Sequence, residues 1–191
     1  IHSATKYMGG HSDILAGAIA GSNEHILKIW NVAKNLGGSL SDFTVWMLER
    51  SLKTLNLRVK KQSKNALKMA KYLAINPDVY HVYYPGLKGH PDYKIAKKQM
   101  KNFGGMLSFE LQEGIDPMKF QNSLRLIKSS MSLAGVESTL LSPALTSHAL
   151  LGAEERANQG IKDGLIRFSV GIENTKDLIS DIEKAIKKAK K

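Results

Sequence analysis

An α/β fold is what the sequence predicts, and three observations carry it. Stretches with period-two alternation, such as "GGMLSFELQEG" and "DGLIRFSVGIE", are separated by stretches with helical periodicity. From Ser41 to Ile75 there is no glycine or proline, which leaves helix as the only reading of so long a run. The 191 residues are 42% hydrophobic and 24% charged, a globular composition able to bury a sizeable core.

The elements follow in order. Residues 1 to 22 read as a strand end, a glycine-containing loop and then "ILAGAIAG", with residues 14 to 20 expected as a buried strand ending at Gly21. "EHILKIWNVAKNLGG" is a helix closed by Gly37 and Gly38. Within Ser41 to Ile75, the residues Val45, Leu48, Leu52, Leu55 and Val59 recur at three- and four-residue steps, and Ala66, Met69 and Leu73 keep the register. That predicts one long helix, or two joined nearly end to end, with a core-facing stripe. "INPD" stops it, and a domain boundary is placed near residue 60. "VYHVYYPG" is strand-like, "YKIAKKQM" helical, "GGMLSFELQEG" a half-buried strand and "PMKFQNSL" a short helix. "DGLIRFSVGIE" is a further strand, and "NTKDLISDIEKAIKKAKK" a terminal amphipathic helix capped by Asn174.

Composition narrows the function classes. With no cysteine there is no disulfide framework, thiolate metal site or cysteine nucleophile. No apolar run approaches the roughly 20 residues of a spanning helix, so a membrane is not an expected partner and a cytoplasmic location is the expectation. The first residue is Ile1, inside an apparent strand, so the start of the natural protein is expected to lie upstream. The formal charge of +11 raises nucleic-acid binding. Much of it is local, though: five lysines crowd the last helix end, and Lys60, Lys61 and Lys64 suit a solvated helix face. Aromatics do not interleave with either group as on a base-stacking surface, so no nucleic-acid partner is expected.

Two residues draw attention for chemistry. In "HSATKYMGGHSD", Lys6 follows the hydroxyls of Ser3 and Thr5 and precedes Gly9 and Gly10, where the chain can turn closely. A Schiff-base lysine needs a fixed position and access to a carbonyl, and an anionic cofactor needs several donors. Taken alone, the bare pattern favours an ordinary surface lysine. In "LIRFSVGI", Ile166, Phe168, Val170 and Ile172 share one strand face, and Leu165, Arg167 and Ser169 the other. Arg167 thus points away from the apolar layer, where its fork can grip a substrate carboxylate or pair with a structural acid. The six histidines form no metal-ligand cluster, so no metal is expected. His11 and His148 read as structural, and Asp13 as a hydrogen-bond acceptor for loop amides.

"HSATKYMGGHSDILAGAI" closely resembles the cofactor-attachment segment of the cystathionine/methionine family of pyridoxal-phosphate enzymes. "GGSLSDF…LERSLKTLNLRV", "HPDYKIAKKQMKNFGGMLSFEL", "SLAGVESTLLSPALTSHA" and "EERANQGIKDGLIRFSVGIENTKDLISDIEKA" resemble further blocks of that family, in family order. The resemblance implies a fold type I pyridoxal-phosphate transferase-like α/β architecture. Residues 1–60 would end the large cofactor domain and start the linking helix, and 61–191 would form the smaller C-terminal domain.

It further implies that pyridoxal 5'-phosphate is carried on Lys6, with Ser3 and Thr5 on its phosphate, and that Arg167 binds the substrate's α-carboxylate beside Ser132. Ser147 falls where some members have a threonine bonded to that arginine. Ala134 stands where the family usually has glycine. Met131 replaces a site-lining glutamate of several cystathionine-handling members, which favours a smaller or more apolar substrate; a space-filling role fits it equally.

The function so implied is γ-elimination on cystathionine or methionine, with γ-replacement on an O-acyl-homoserine as the alternative. The implied assembly is a homotetramer built from dimers with shared active sites, acting on a small amino acid. The pyridine-nitrogen partner and the ring-stacking aromatic would come from upstream segments. A basic nucleic-acid-binding module and an inactive structural domain are the rivals from other classes.

Overall fold

The computed structural model describes residues 1–190, which divide into two units, 1–57 and 58–190. In the first, strand β1 (His2–Ser3) pairs antiparallel with β2 (Gly17–Ala18). Of the buried strand expected over residues 14–20 only the two-residue β2 forms, and it is not buried. Ile14 is buried, but Leu15 and Ile19 are 82% and 46% exposed. A two-residue ladder covers little, and only Ile14 turns inward, against Gly9.

Helix α1 (Asn23–Leu36) starts at Ser22, whose Oγ accepts the His25 N–H, and ends at Gly37 with φ 70, a conformation glycine adopts without strain. Helix α2 (Asp42–Leu52) starts at Ser41, which accepts the Thr44 N–H. No residue of α1 is buried. Of the core-facing stripe expected here, Val45 and Leu52 are exposed, Leu48, Leu55 and Val59 are half-buried, and Ala66, Met69 and Leu73 are buried.

The glycine-free run is two helices. A turn at Lys53 and Thr54, whose N–H groups return to Arg50 and Ser51, separates α2 from α3 (Leu55–Ala74). The second unit continues with β3 (Val79–Tyr83), α4 (Tyr93–Gln99), β4 (Met106–Leu111), α5 (Pro117–Ser123), β5 (Lys128–Ser129) and β6 (Thr139–Leu141). It ends with α6 (Ala153–Asn158), β7 (Leu165–Ser169) and α7 (Thr175–Ala189). The sheet order is β3-β4-β7-β6-β5, antiparallel except for the β5–β6 pair. Strands β5 and β6 and helix α6 were not expected from the sequence; their two, three and six residues are too short to show a period.

One sheet face is packed by helices. Phe109 and Phe168 meet Met69 and Leu73 of α3, Phe120 of α5, and Leu178 and Ile182 of α7 in one core. Asn174 caps α7 by accepting the Lys176 N–H, as expected. Ile172, expected on the apolar face, lies past the end of β7 and is 39% exposed. Asp181 of α7 pins the stretch that follows α5: its carboxylate accepts the N–H groups of Arg125, Leu126 and Ile127, each at 2.9 Å.

The opposite face is polar. Glu110 of β4 is 3% exposed yet charged: Tyr83 Oη donates to one oxygen at 2.5 Å and Lys162 Nζ to the other at 2.9 Å. Burial pushes the Glu110 pKa up, but the bonds from Tyr83 and Lys162 outweigh it and hold it below the ordinary glutamate value. Bonding to Glu110 raises the pKa of both Tyr83 and Lys162.

Candidate active site

The lysine loop is fixed by its own backbone. Gly9 N–H donates to Ala4 O and Gly10 N–H to Lys6 O, both at 2.7 Å, so the chain closes tightly around Lys6. A Cβ on Gly9 would stand 2.9 Å from Ala4 O and from Ile14 Cγ1, which only glycine avoids. His11 ties the loop down: its Nδ1 lies 2.7 Å from Gly9 O and 3.3 Å from Ser51 Oγ of α2, a structural role as read from the sequence. Asp13 is exposed and makes no hydrogen bond among the described residues, contrary to expectation. With Ser12 at φ 58 the chain reverses there and Asp13 faces solvent.

The donor set fits a phosphate-bearing aldehyde. Lys6 is half-buried, and its amine makes no ion pair or hydrogen bond among the described residues. Ser3 presents an exposed hydroxyl. Thr5 is committed inward: its Oγ1 accepts the Ala16 N–H at 2.9 Å and donates to Ala16 O at 3.3 Å. The second of these is long, and it is the one a phosphate oxygen would replace.

In the second unit three of the sequence-selected residues come together. Arg167 lies on the polar face of β7, and its Nη2 donates to Met131 O at 2.8 Å and to Ser132 O at 3.3 Å. Its Nε and Nη1 have no hydrogen-bond partner among the described residues, and no carboxylate among them pairs with it. Burial lowers the Arg167 pKa from its ordinary value, yet a guanidinium stays charged at any physiological pH. A half-buried cation with one edge anchored and the other open is suited to a carboxylate. Met131 contributes its carbonyl, while its side chain is largely exposed. Ser147 does not join this group: its exposed Oγ bonds to Nδ1 of His148 at 2.8 Å.

Residues 1–187 match the family model of the Cys/Met metabolism PLP-dependent enzymes. The chain belongs to this family. It is 46% identical over 187 residues to cystathionine gamma-synthase 1, chloroplastic, of Arabidopsis thaliana, covering 97% of this chain and 33% of that protein. Identity is also 46% over 189 residues to the cystathionine beta-lyase of Lactococcus lactis subsp. cremoris strain MG1363, covering 98% and 50%. The crystal structure of cystathionine gamma-lyase from Lactobacillus plantarum complexed with L-serine matches at a TM-score of 0.91 and 41% identity, over 98% of this chain and 50% of that one. The chain thus spans a third to a half of the length of these family members.

The family match agrees with the resemblance read from the sequence and with its α/β fold. Sequence reasoning missed the buried polar residues behind the Arg167 group, chiefly Gln62 and Asn65 of α3. Their signal was spacing: Gln62, Asn65, Met69 and Leu73 fall on one helical stripe, so two polar residues occupy a core face.

Proposed function

We propose that the protein is a carbon–sulfur lyase that uses pyridoxal 5'-phosphate for γ-elimination on cystathionine or methionine. The observation that carries the reading is the Arg167 group: a cation with an open edge, fixed by the Met131 and Ser132 carbonyls, in a family that handles amino acids. When bound, the cofactor supplies an electron sink conjugated to the substrate's α-carbon.

Lys6 Nζ would hold the cofactor through its aldehyde, and as a neutral amine it would take and return protons at the substrate carbons. Ser3 and Thr5 donate to the phosphate. Arg167 grips the α-carboxylate, which fixes the orientation of the bonds at the α-carbon, and Ser132 flanks it. In the net reaction the Cγ–S bond breaks, a thiol leaves, and water hydrolyses the remainder to a 2-oxo acid and ammonia. The exposed Met131 carries no charge toward a distal amino group, in favour of the smaller or more apolar substrate. An assembly of four subunits, as dimers with shared sites, goes with this reading.

The similarity to the plant synthase supports γ-replacement as the second reading, in which cysteine traps the four-carbon fragment. The test has two stages. Borohydride reduction of the full-length protein followed by peptide mapping should place the cofactor label on Lys6; an unlabelled Lys6 overturns the reading. Product analysis then separates the reactions. 2-Oxobutyrate and ammonia, with cysteine from cystathionine or methanethiol from methionine, are expected; pyruvate and homocysteine from cystathionine would overturn γ-elimination, and cystathionine made from O-acyl-homoserine and cysteine as the main product establishes the replacement instead.

A further inference from the structure

Behind the Arg167 group lies a chain of buried polar contacts that reaches α3. Gln62 is fully buried, and its Nε2 donates to Gly135 O at 2.7 Å and to Ala134 O at 3.3 Å. Both neighbours are carbonyl oxygens, so the amide NH₂ must face them. One turn on, Asn65 is 1% exposed, and its Nδ2 donates to Gly171 O at 3.0 Å and Glu173 O at 2.8 Å. The Glu173 carboxylate accepts from the backbone N–H and the hydroxyl of Ser138, and the Gly171 N–H donates to Ser138 Oγ. Ser169, at the end of the strand that bears Arg167, accepts the Ala134 N–H at 2.7 Å.

The segment from 131 to 138 is thereby held from two sides by α3 and the end of β7. Its first two carbonyls, Met131 and Ser132, are the ones that anchor Arg167. Ala134 sits at φ 67, so the segment relies on its hydrogen bonds to keep that bend. Four buried amide hydrogen bonds aimed at loop carbonyls exceed what helix packing needs, since an apolar residue at either position would pack without them.

We propose that Gln62 and Asn65 are positioning residues for substrate binding: they set the direction of the Arg167 guanidinium through the 131–138 segment. Neither touches substrate. The inference rests on the reading of Arg167 as the carboxylate grip.

The experiment uses the full-length holoprotein and its variant Gln62→Met, which keeps length and loses the donor. The KM for the amino-acid substrate is expected to rise roughly tenfold while kcat stays within about twofold, as for loss of uniform binding. Binding of the matching amine that lacks the carboxylate, followed by the cofactor's absorbance, is expected to stay unchanged. Gln62→His, which restores an N–H donor, should recover most of the loss. In Arg167→Lys the same Gln62→Met change should have little further effect, because the two act through one contact.

An unchanged KM, an equal loss for the carboxylate-free amine, or additive losses in the double variant would each overturn the clamp. Should Gln62→Met not fold, Asn65→Ser is put through the same comparison with the same expected and overturning results. The two failures are distinguishable: if Arg167→Lys itself binds both ligands as the unaltered protein does, the carboxylate reading falls, whereas a selective Arg167→Lys with indifferent Gln62 variants sinks only the clamp.

Discussion

Ala134 is one of two non-glycine residues at positive φ among the described residues, at 67°, and it is completely buried. A left-handed backbone costs an L-residue about 1–2 kcal/mol, and glycine there costs roughly 0.5–1 kcal/mol in unfolded-chain entropy. The balance predicts that Ala134→Gly stabilises the second unit by about 0.5–1 kcal/mol. Chemical denaturation at constant slope checks it, and a lower midpoint would mean that the alanine methyl contributes more packing than the backbone loses. At the same scale, Lys6 and Arg167 were singled out in the sequence by the family resemblance, because the local pattern around each favoured a surface lysine and a structurally paired arginine. The one is a cation among small loop residues, and the other sits on the polar side of an alternating strand. Ser147, singled out in the same way, does not join Arg167: a serine in a turn bonds to whatever is adjacent, here His148. Gln62 and Asn65 stayed hidden because a polar residue on a helix reads as solvent-facing until a partner from residues 134–173 is known.

Among the elements, those with a clear period were readable. The alternation of β4 and β7, the Gly37 closure of α1 and the Asn174 cap of α7 all follow from local residues. What failed was cover. The stripe at Val45 and Leu52 is apolar, but amphipathicity states only that a face seeks a partner and not that one is present in these residues. The β3–β4–β7 sheet owes its polar face to Glu110, which joins Tyr83 of β3 to Lys162 ahead of β7. Its lowered folded pKa means that the unfolded chain binds a proton more readily, so this stabilisation is complete above the ordinary glutamate value, about 4.3, and is lost as pH falls through the lower folded value. Glu110→Gln is therefore expected to cost about 1–3 kcal/mol at pH 7. The gap to the unaltered protein should narrow as pH drops below about 4. Thermal unfolding of both proteins between pH 3 and 7 measures it; a gap independent of pH would show that the carboxylate's charge is not what Tyr83 and Lys162 require.

At the scale of the whole chain, the two units differ in what holds them. Residues 58–190 contain a contiguous core in which Phe109, Phe120, Phe168, Leu178 and Ile182 are completely buried, and a sheet of five strands is backed by helices. Residues 1–57 bury only Ala4, Ile14 and a few small or polar positions, and their largest apolar side chains are open to solvent. Local opening costs little where few apolar contacts must be broken, so the first unit should unfold before the second when the 191-residue chain is studied alone. The sequence provides a clean probe: both tryptophans, Trp30 and Trp46, lie in the first unit and are 61% and 57% exposed. Their emission is expected near that of water-exposed indole even without denaturant. Its change with urea should be complete before the far-ultraviolet circular dichroism of the second unit reaches its midpoint. Coincident transitions by the two probes would instead mean one cooperative unit, and the open apolar face of α1 would then contribute far more to stability than its exposure allows.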